Sequence, residues 1–216
     1  MALCIDIWSD IACPWCYVGK RRLEAALERF DEPVEVVWHA FELDPSAPRV
    51  RDPNTTYAER LASKYRTSVP EADAMIRRMT DVAAADGLEL HFDRVRSGNT
   101  FDAHRTLQLG AERGVQDGVA ERLFRAYFTE GEAIGERDVL VRLATDAGLD
   151  ADETRTMLES DRHSAEVRAD EERARALGIT GVPFYVIAGR YGVSGAQPPE
   201  QILRVLESAR TSVNRE

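Results

Sequence analysis

In ALCIDIW, Leu3, Ile5 and Ile7 alternate with Cys4, Asp6 and Trp8. The period of two and the β-favouring side chains predict a strand over 2–8. A short turn, SDIA, follows. Leu23, Ala26, Leu27 and Phe30 then recur at helical spacing, which predicts a helix over roughly 14–30. Pro14 suits its first position, where a missing N–H costs nothing and φ is already helical. EPVEVVWHAFEL (32–43) places Val34, Val36, Trp38 and Ala40 in phase, a second strand. Strand, helix, strand is a βαβ unit, whose crossover is expected to be right-handed.

DPSAPRVRDPNTTY (44–57) is rich in proline and turn formers and reads as a loop. From 57 to 177 the periodicity is helical almost throughout, in segments 57–66, 70–86, 100–113, 117–129, 136–147, 151–159 and 161–177. Ser68 before Pro70 and Glu71 is a helix-start signal, as are Asn99 and Thr100; Gly114 and Gly148 are stops. Period two returns in VPFYVIAGRYGVSGA, where the runs 184–188 and 191–193 flank Gly189-Arg190 as a β-hairpin. QPPEQILRVLESAR closes the chain as a helix with Ile202, Leu203, Leu206 and Ala209 on its apolar face. The order is β-α-β, a helical block, then β-β-α, an α/β chain. The expected division is a discontinuous domain, 1–45 with 178–216, interrupted by an all-helical insertion, 46–177.

A length of 216 residues suits one large domain or a small one with an insertion, and 44% apolar residues suffice for a core. The net charge of −10 argues against nucleic acid and against a membrane surface as partners, since both call for a basic footprint. Only two of the 28 basic residues are lysine, and stretches such as GKRRLE and IRRMT sit inside helical patterns as solvated faces. No apolar run approaches the roughly 18 residues of a membrane span. MALCIDIWSDIACPWC lacks a basic leader region, so the chain is expected to act in the cytoplasm, starting at Met1. The sequence sets no oligomeric state; a homodimer is compatible with it.

Three cysteines make no disulfide framework. Cys13 and Cys16, however, lie two residues apart at the start of the first helix. The four free N–H groups and the positive end of the helix dipole favour a thiolate at Cys13, whose pKa is expected below the free-thiol value of ~8.5. Cys16, one turn further in, is the more buried and gains less. A three-residue separation also permits a disulfide. Zinc is disfavoured, because only Cys4 and four scattered histidines remain as ligands; two inert buried cysteines are the other alternative. GITGVPFYVI places Pro183 at the start of a strand, which is tolerated if the Val182–Pro183 bond is cis and Pro183 faces the cysteines. Val182 would then offer its backbone to a bound chain.

SDIACPWCYVGKRRLE, NTFDAHRTL, GITGVPFYVI and SGAQPPEQI together resemble the DsbA-like thioredoxin-fold superfamily, nearest its FrnE-like branch of cytoplasmic oxidoreductases. The resemblance spans the chain, insertion included. It implies a thioredoxin fold and dithiol–disulfide exchange centred on Cys13, Cys16 and a cis Pro183. Expected partners are protein or small-molecule thiols and disulfides; no bound cofactor is expected, with glutathione a potential co-substrate. Kappa-class glutathione transferases and 2-hydroxychromene-2-carboxylate isomerases share the fold but typically carry serine where Cys13 stands. A glutathione-dependent isomerase or transferase acting on an aromatic or polyketide-like substrate is therefore one alternative. A chaperone-like binder with incidental cysteines is another.

Pro14 stiffens the turn between the cysteines. Trp15 adds no charge there, so the pair is expected to be less oxidising than a CPHC pair. Trp15 and Tyr17 either bind substrate or pack on the helical block. Asn99 and His104 are cleft residues by resemblance; a helix cap and a structural histidine are their ordinary readings. Asp6 and Asp10 are candidate proton acceptors for Cys16, against strand-edge and turn roles. Cys4 reads as a buried strand residue.

Overall fold

The computed structural model describes residues 2–52 and 54–213. The first strand, β1 (Leu3–Ser9), lies at the centre of a mixed four-stranded sheet. It pairs in parallel with β2 (Val34–Ala40) and antiparallel with β3 (Phe184–Ile187), and β3 carries β4 (Tyr191–Ser194) on its far side. Helix α1 (Pro14–Leu27) makes the parallel crossover from β1 to β2, and α9 (Pro199–Val213) packs beside it. Between β2 and β3 run α2 (Tyr57–Tyr65), α3 (Val69–Ala85), α4 (Phe101–Glu112), α5 (Gln116–Arg125), α6 (Arg137–Asp146), α7 (Ala151–Glu159) and α8 (Ser164–Ala176).

Leu3, Ile5 and Ile7 are buried as their alternation requires, while Cys4 and Asp6 on the other face are only half-buried. Trp8 breaks the alternation. It is fully buried because α8 covers that end of the sheet, where the indole donates to the Asp170 carbonyl at 3.0 Å. One continuous buried cluster runs from Ile5, Ile7 and Leu23 through Leu107 and Phe124 to Leu140. Burying side chains of this size stabilises by about 1.5–3 kcal/mol each, and Trp8, Ala174 and Ile179 form a second, smaller cluster.

Three expectations need correction. The helix expected to reach residue 30 ends at Leu27. The helix expected over 117–129 changes register after Arg125, where Ala126–Glu130 form a π-helical turn ended by Gly131 at φ 74°. Its side chains continue the helical pattern, so composition does not reveal the wider turn. Finally, GKRRLE is not a solvated face at Lys20. That side chain is only 3% exposed, its Nζ 3.0 Å from Asp117 and 3.4 Å from Glu121 and also bonded to Glu24.

Candidate active site

The turn after β1 is built by Asp10. Its carbonyl accepts the Cys13 N–H at 3.0 Å, and its carboxylate accepts the N–H groups of Ala12 (3.2 Å) and Leu43 (2.7 Å). Cys13 is the N-cap residue of α1, in extended conformation, and Pro14 opens the first turn. The Cys13 side chain makes no capping bond to the helix, contrary to the arrangement expected from the sequence. Instead its Sγ donates to the carbonyl of Val182, 169 residues away, at 3.6 Å. The Val182–Pro183 peptide bond is cis. Pro183 is buried, and its carbonyl accepts the N–H of Gly195 in the SGAQ segment at 2.8 Å.

Cys16 lies deeper than Cys13, at 1% against 5% exposure. Burial pushes its thiol well up, reinforced by the hydrogen-bonded Cys13 sulfur; the Ser9 side chain and the Asp10 backbone pull the other way. Both cysteines are free. Cys4 is half-buried on β1, its thiol pushed up by burial and by Asp6 and Glu35.

Gly19 is a site residue that the sequence reading missed. A Cβ there would come within 2.3 Å of the Tyr185 hydroxyl and 3.0 Å of the Pro183 ring. Only a glycine lets α1 approach the Pro183 strand this closely. The signal available in the sequence was a lone glycine inside a helical pattern.

Trp15 is 44% exposed, whereas Tyr17 is buried, stacked on Phe124 at 5.1 Å and donating to Glu121 at 2.9 Å. Tyr17 thus takes the packing role of the two considered for it. Asn99, one residue before the N-cap Thr100 of α4, accepts the Phe101 N–H at 2.9 Å, while its amide donates to Glu42 at 3.0 Å. His104 is 1% exposed, and neither ring nitrogen has a hydrogen-bond partner. Its Nε2 stands 3.6 Å from the Asp10 carboxylate. Burial pushes the Glu42 carboxyl up, against the pull of Arg168 and His104. Asp6 is bound instead to His39 at 2.7 Å and to Arg173 at 3.3 Å.

Cys13, Pro14 and Trp15 form one end of a cavity of about 860 Å³. Its other walls are the 44–57 loop, α2, α3 and the segment 92–100, with Tyr57, Met79, Phe92 and Tyr127 as apolar lining. Among the described residues no cluster of His, Cys, Asp and Glu could hold a metal ion, and no helix is long and apolar enough to cross a membrane.

Residues 4–207 match the family model of the DSBA-like thioredoxin domain. The chain is 31% identical over 194 residues to the uncharacterized protein YwbO of Bacillus subtilis (strain 168), covering 87% of this chain and 88% of that protein. Among solved structures it is similar to a probable DsbA oxidoreductase, SCO1869, from Streptomyces coelicolor, at 42% identity and a TM-score of 0.90 over 97% of this chain and 90% of that one. The cytosolic disulfide reductase DsbM of Pseudomonas aeruginosa, solved with GSH, shares the fold at 19% identity and a TM-score of 0.65, over 95% of this chain and 98% of that one.

Proposed function

This chain belongs to the DSBA-like thioredoxin domain family, and on that premise we propose that it is a thiol–disulfide oxidoreductase whose redox pair is Cys13–Cys16. The observation that carries the reading is the meeting of Cys13 Sγ with the Val182 carbonyl beside Pro183, at the cavity end. A thiol that faces a cavity can be reached by a substrate sulfur, and one tucked behind it can resolve the mixed disulfide. Cys13 attacks a substrate disulfide and forms the mixed disulfide; Cys16 then attacks Cys13 Sγ and releases the substrate thiol. In the reverse direction the same two sulfurs oxidise a substrate dithiol. Val182 offers its backbone to the substrate chain next to the transferred sulfur, and Pro183 keeps other groups from that edge. Pro14 and Trp15 border the entry, and Asn99, just before α4, and His104 on α4 support the site.

Having both cysteines favours this reading over a glutathione-dependent isomerase or transferase and over a binder with incidental thiols. Glutathione enters the scheme as a thiol co-substrate, and no bound cofactor is required. Insulin reduction by dithiothreitol is the test. The wild type is expected to accelerate it and Cys13→Ser to fall to the uncatalysed rate, while equal rates would overturn the proposal.

A further inference from the structure

Three carboxylates, Asp10, Asp44 and Glu59, line the cavity, yet none of them forms an ion pair with Arg60. Arg60, on α2, lines it together with Cys13. The guanidinium lies over the Tyr57 ring, 5.6 Å from its centroid, and Nη1 donates to the Thr55 carbonyl. Nη2 is buried and has no partner. Among the described residues no carboxylate forms an ion pair with Arg60, Lys64 or Arg78, all of which line the cavity; Arg51 is paired with Asp44. A buried donor left unsatisfied costs about 1–3 kcal/mol, more when charged. Burial accordingly pulls the Arg60 pKa down, a cost that an incoming anion would remove.

Leu61, Met75, Ile76 and Phe92 give the lining an apolar part beside Ser63, Ser97, Thr100 and the carboxylates, and the volume of about 860 Å³ lies in the range of small-molecule sites. Nη2 keeps two N–H groups that no protein atom engages, and the planar guanidinium matches the geometry of a carboxylate. We propose that this cavity binds a small-molecule disulfide or thiol bearing a carboxylate on an apolar or aromatic body, the carboxylate on Arg60 and the sulfur at Cys13. The inference rests on the oxidoreductase reading and adds its substrate class.

The reaction balances with the reduced protein as sole electron donor. Cys13 Sγ attacks the ligand R–S–S–R, forming Cys13–S–S–R and expelling one R–S⁻. Cys16 Sγ attacks Cys13, forming the protein disulfide and expelling the second R–S⁻. Two electrons pass from the protein dithiol to the ligand disulfide, and the two thiol protons go to the leaving thiolates or to solvent.

The experiment is a single-turnover comparison of two aromatic disulfides, using reduced protein with Cys4→Ser as background. The probes are 5,5′-dithiobis(2-nitrobenzoate), which carries carboxylates, and 4,4′-dithiodipyridine, which is uncharged at neutral pH. Saturable kinetics are expected with the carboxylate probe. Arg60→Met should slow it about tenfold or more, the size of one lost hydrogen bond to a charged group. The same variant should leave the uncharged probe within about twofold, and Arg60→Lys should restore part of the loss, since the charge but not the planar fork is kept. Equal slowing of both probes, or of neither, overturns the inference and leaves the oxidoreductase reading standing. If Arg60→Met does not fold, competition on the wild type decides. 4-Nitrobenzoate should slow attack on 4,4′-dithiodipyridine and 4-nitrobenzamide should not; equal effects would overturn the inference. A wild type inert to both probes would overturn the oxidoreductase reading itself.

Discussion

Lys20 and Arg60 are both cations drawn out of water, and the molecule treats them in opposite ways. Lys20 has three carboxylates, Glu24 on its own helix and Asp117 and Glu121 on α5. Arg60 has a carbonyl, a ring and one bare nitrogen. Two histidines, His39 on β2 and His104 on α4, divide the same way. His39 is bonded to Asp6 at 2.7 Å and to Asp170 at 2.6 Å, whereas His104 has no hydrogen-bond partner at either nitrogen and only the Asp10 carboxylate 3.6 Å from Nε2. The saturated groups fasten elements together, α1 to α5 and β2 to β1 and α8. Arg60 sits on the cavity wall and His104 against Asp10 behind the turn, while Glu121 Oε2 on α5 and His163 Nε2 before α8 also lack hydrogen-bond partners. Buried polar groups are nearly always satisfied where their role is structural. Their exceptions gather at functional sites, where local consistency yields to chemistry.

That contrast can be broken by removing one group from each class. Lys20→Met should have the largest effect on stability, because it leaves Asp117 without its cation and Glu24 and Glu121 with Arg21 alone. The cost expected in urea unfolding is about 2–3 kcal/mol, below that of a fully buried pair because Asp117 and Glu24 still touch water. A cost near zero would make Lys20 an ordinary surface residue.

His39 gives a smaller, pH-dependent effect. Burial alone would lower its pKa, but the hydrogen bonds and charge of Asp170, then of Asp6, outweigh it and hold the imidazolium up. A raised native pKa contributes stability that is complete below the unfolded value near 6.5 and is lost as pH rises through the native one. Wild-type stability should therefore fall by about 1–2 kcal/mol over that alkaline window, roughly one charge-assisted hydrogen bond. His39→Gln should flatten the curve there; an unchanged slope would contradict the fastening role.

The smallest effect belongs to His104→Leu. It removes a buried ring that makes no hydrogen bond, so stability should change by less than about 1 kcal/mol. A loss as large as that of Lys20→Met would place His104 among the structural fasteners and erase the comparison.

These predictions follow the line between what the sequence disclosed and what it did not. Period two at Leu3, Ile5 and Ile7 and period 3.6 at Leu23, Ala26 and Leu27 report burial on one face, so strand and helix were legible. Ser68 and Glu71 form the capping box that their spacing announces. The cysteine pair and Val182-Pro183 were legible as residue types in context. Lys20 and Arg60 were not, since each is a basic residue in a helical stretch and only the tertiary neighbours decide which is neutralised. The cavity is equally invisible in one dimension, because it joins residues 10–15, the 44–57 loop, two helices and the 92–100 segment. Gly19 was hidden for the same reason: its requirement comes from Pro183 and Tyr185, more than 160 residues away.

The central claim is that Cys13 attacks and Cys16 resolves, and trapping the intermediate tests it most directly. Each protein is reduced, mixed with a small disulfide, quenched in acid and read by intact mass and peptide mapping. The account predicts a mixed disulfide on Cys13 that persists in Cys16→Ser, is transient in the wild type as the Cys13–Cys16 disulfide replaces it, and is absent from Cys13→Ser. An adduct on Cys16 or Cys4, or one equally stable in the wild type and in Cys16→Ser, would contradict it.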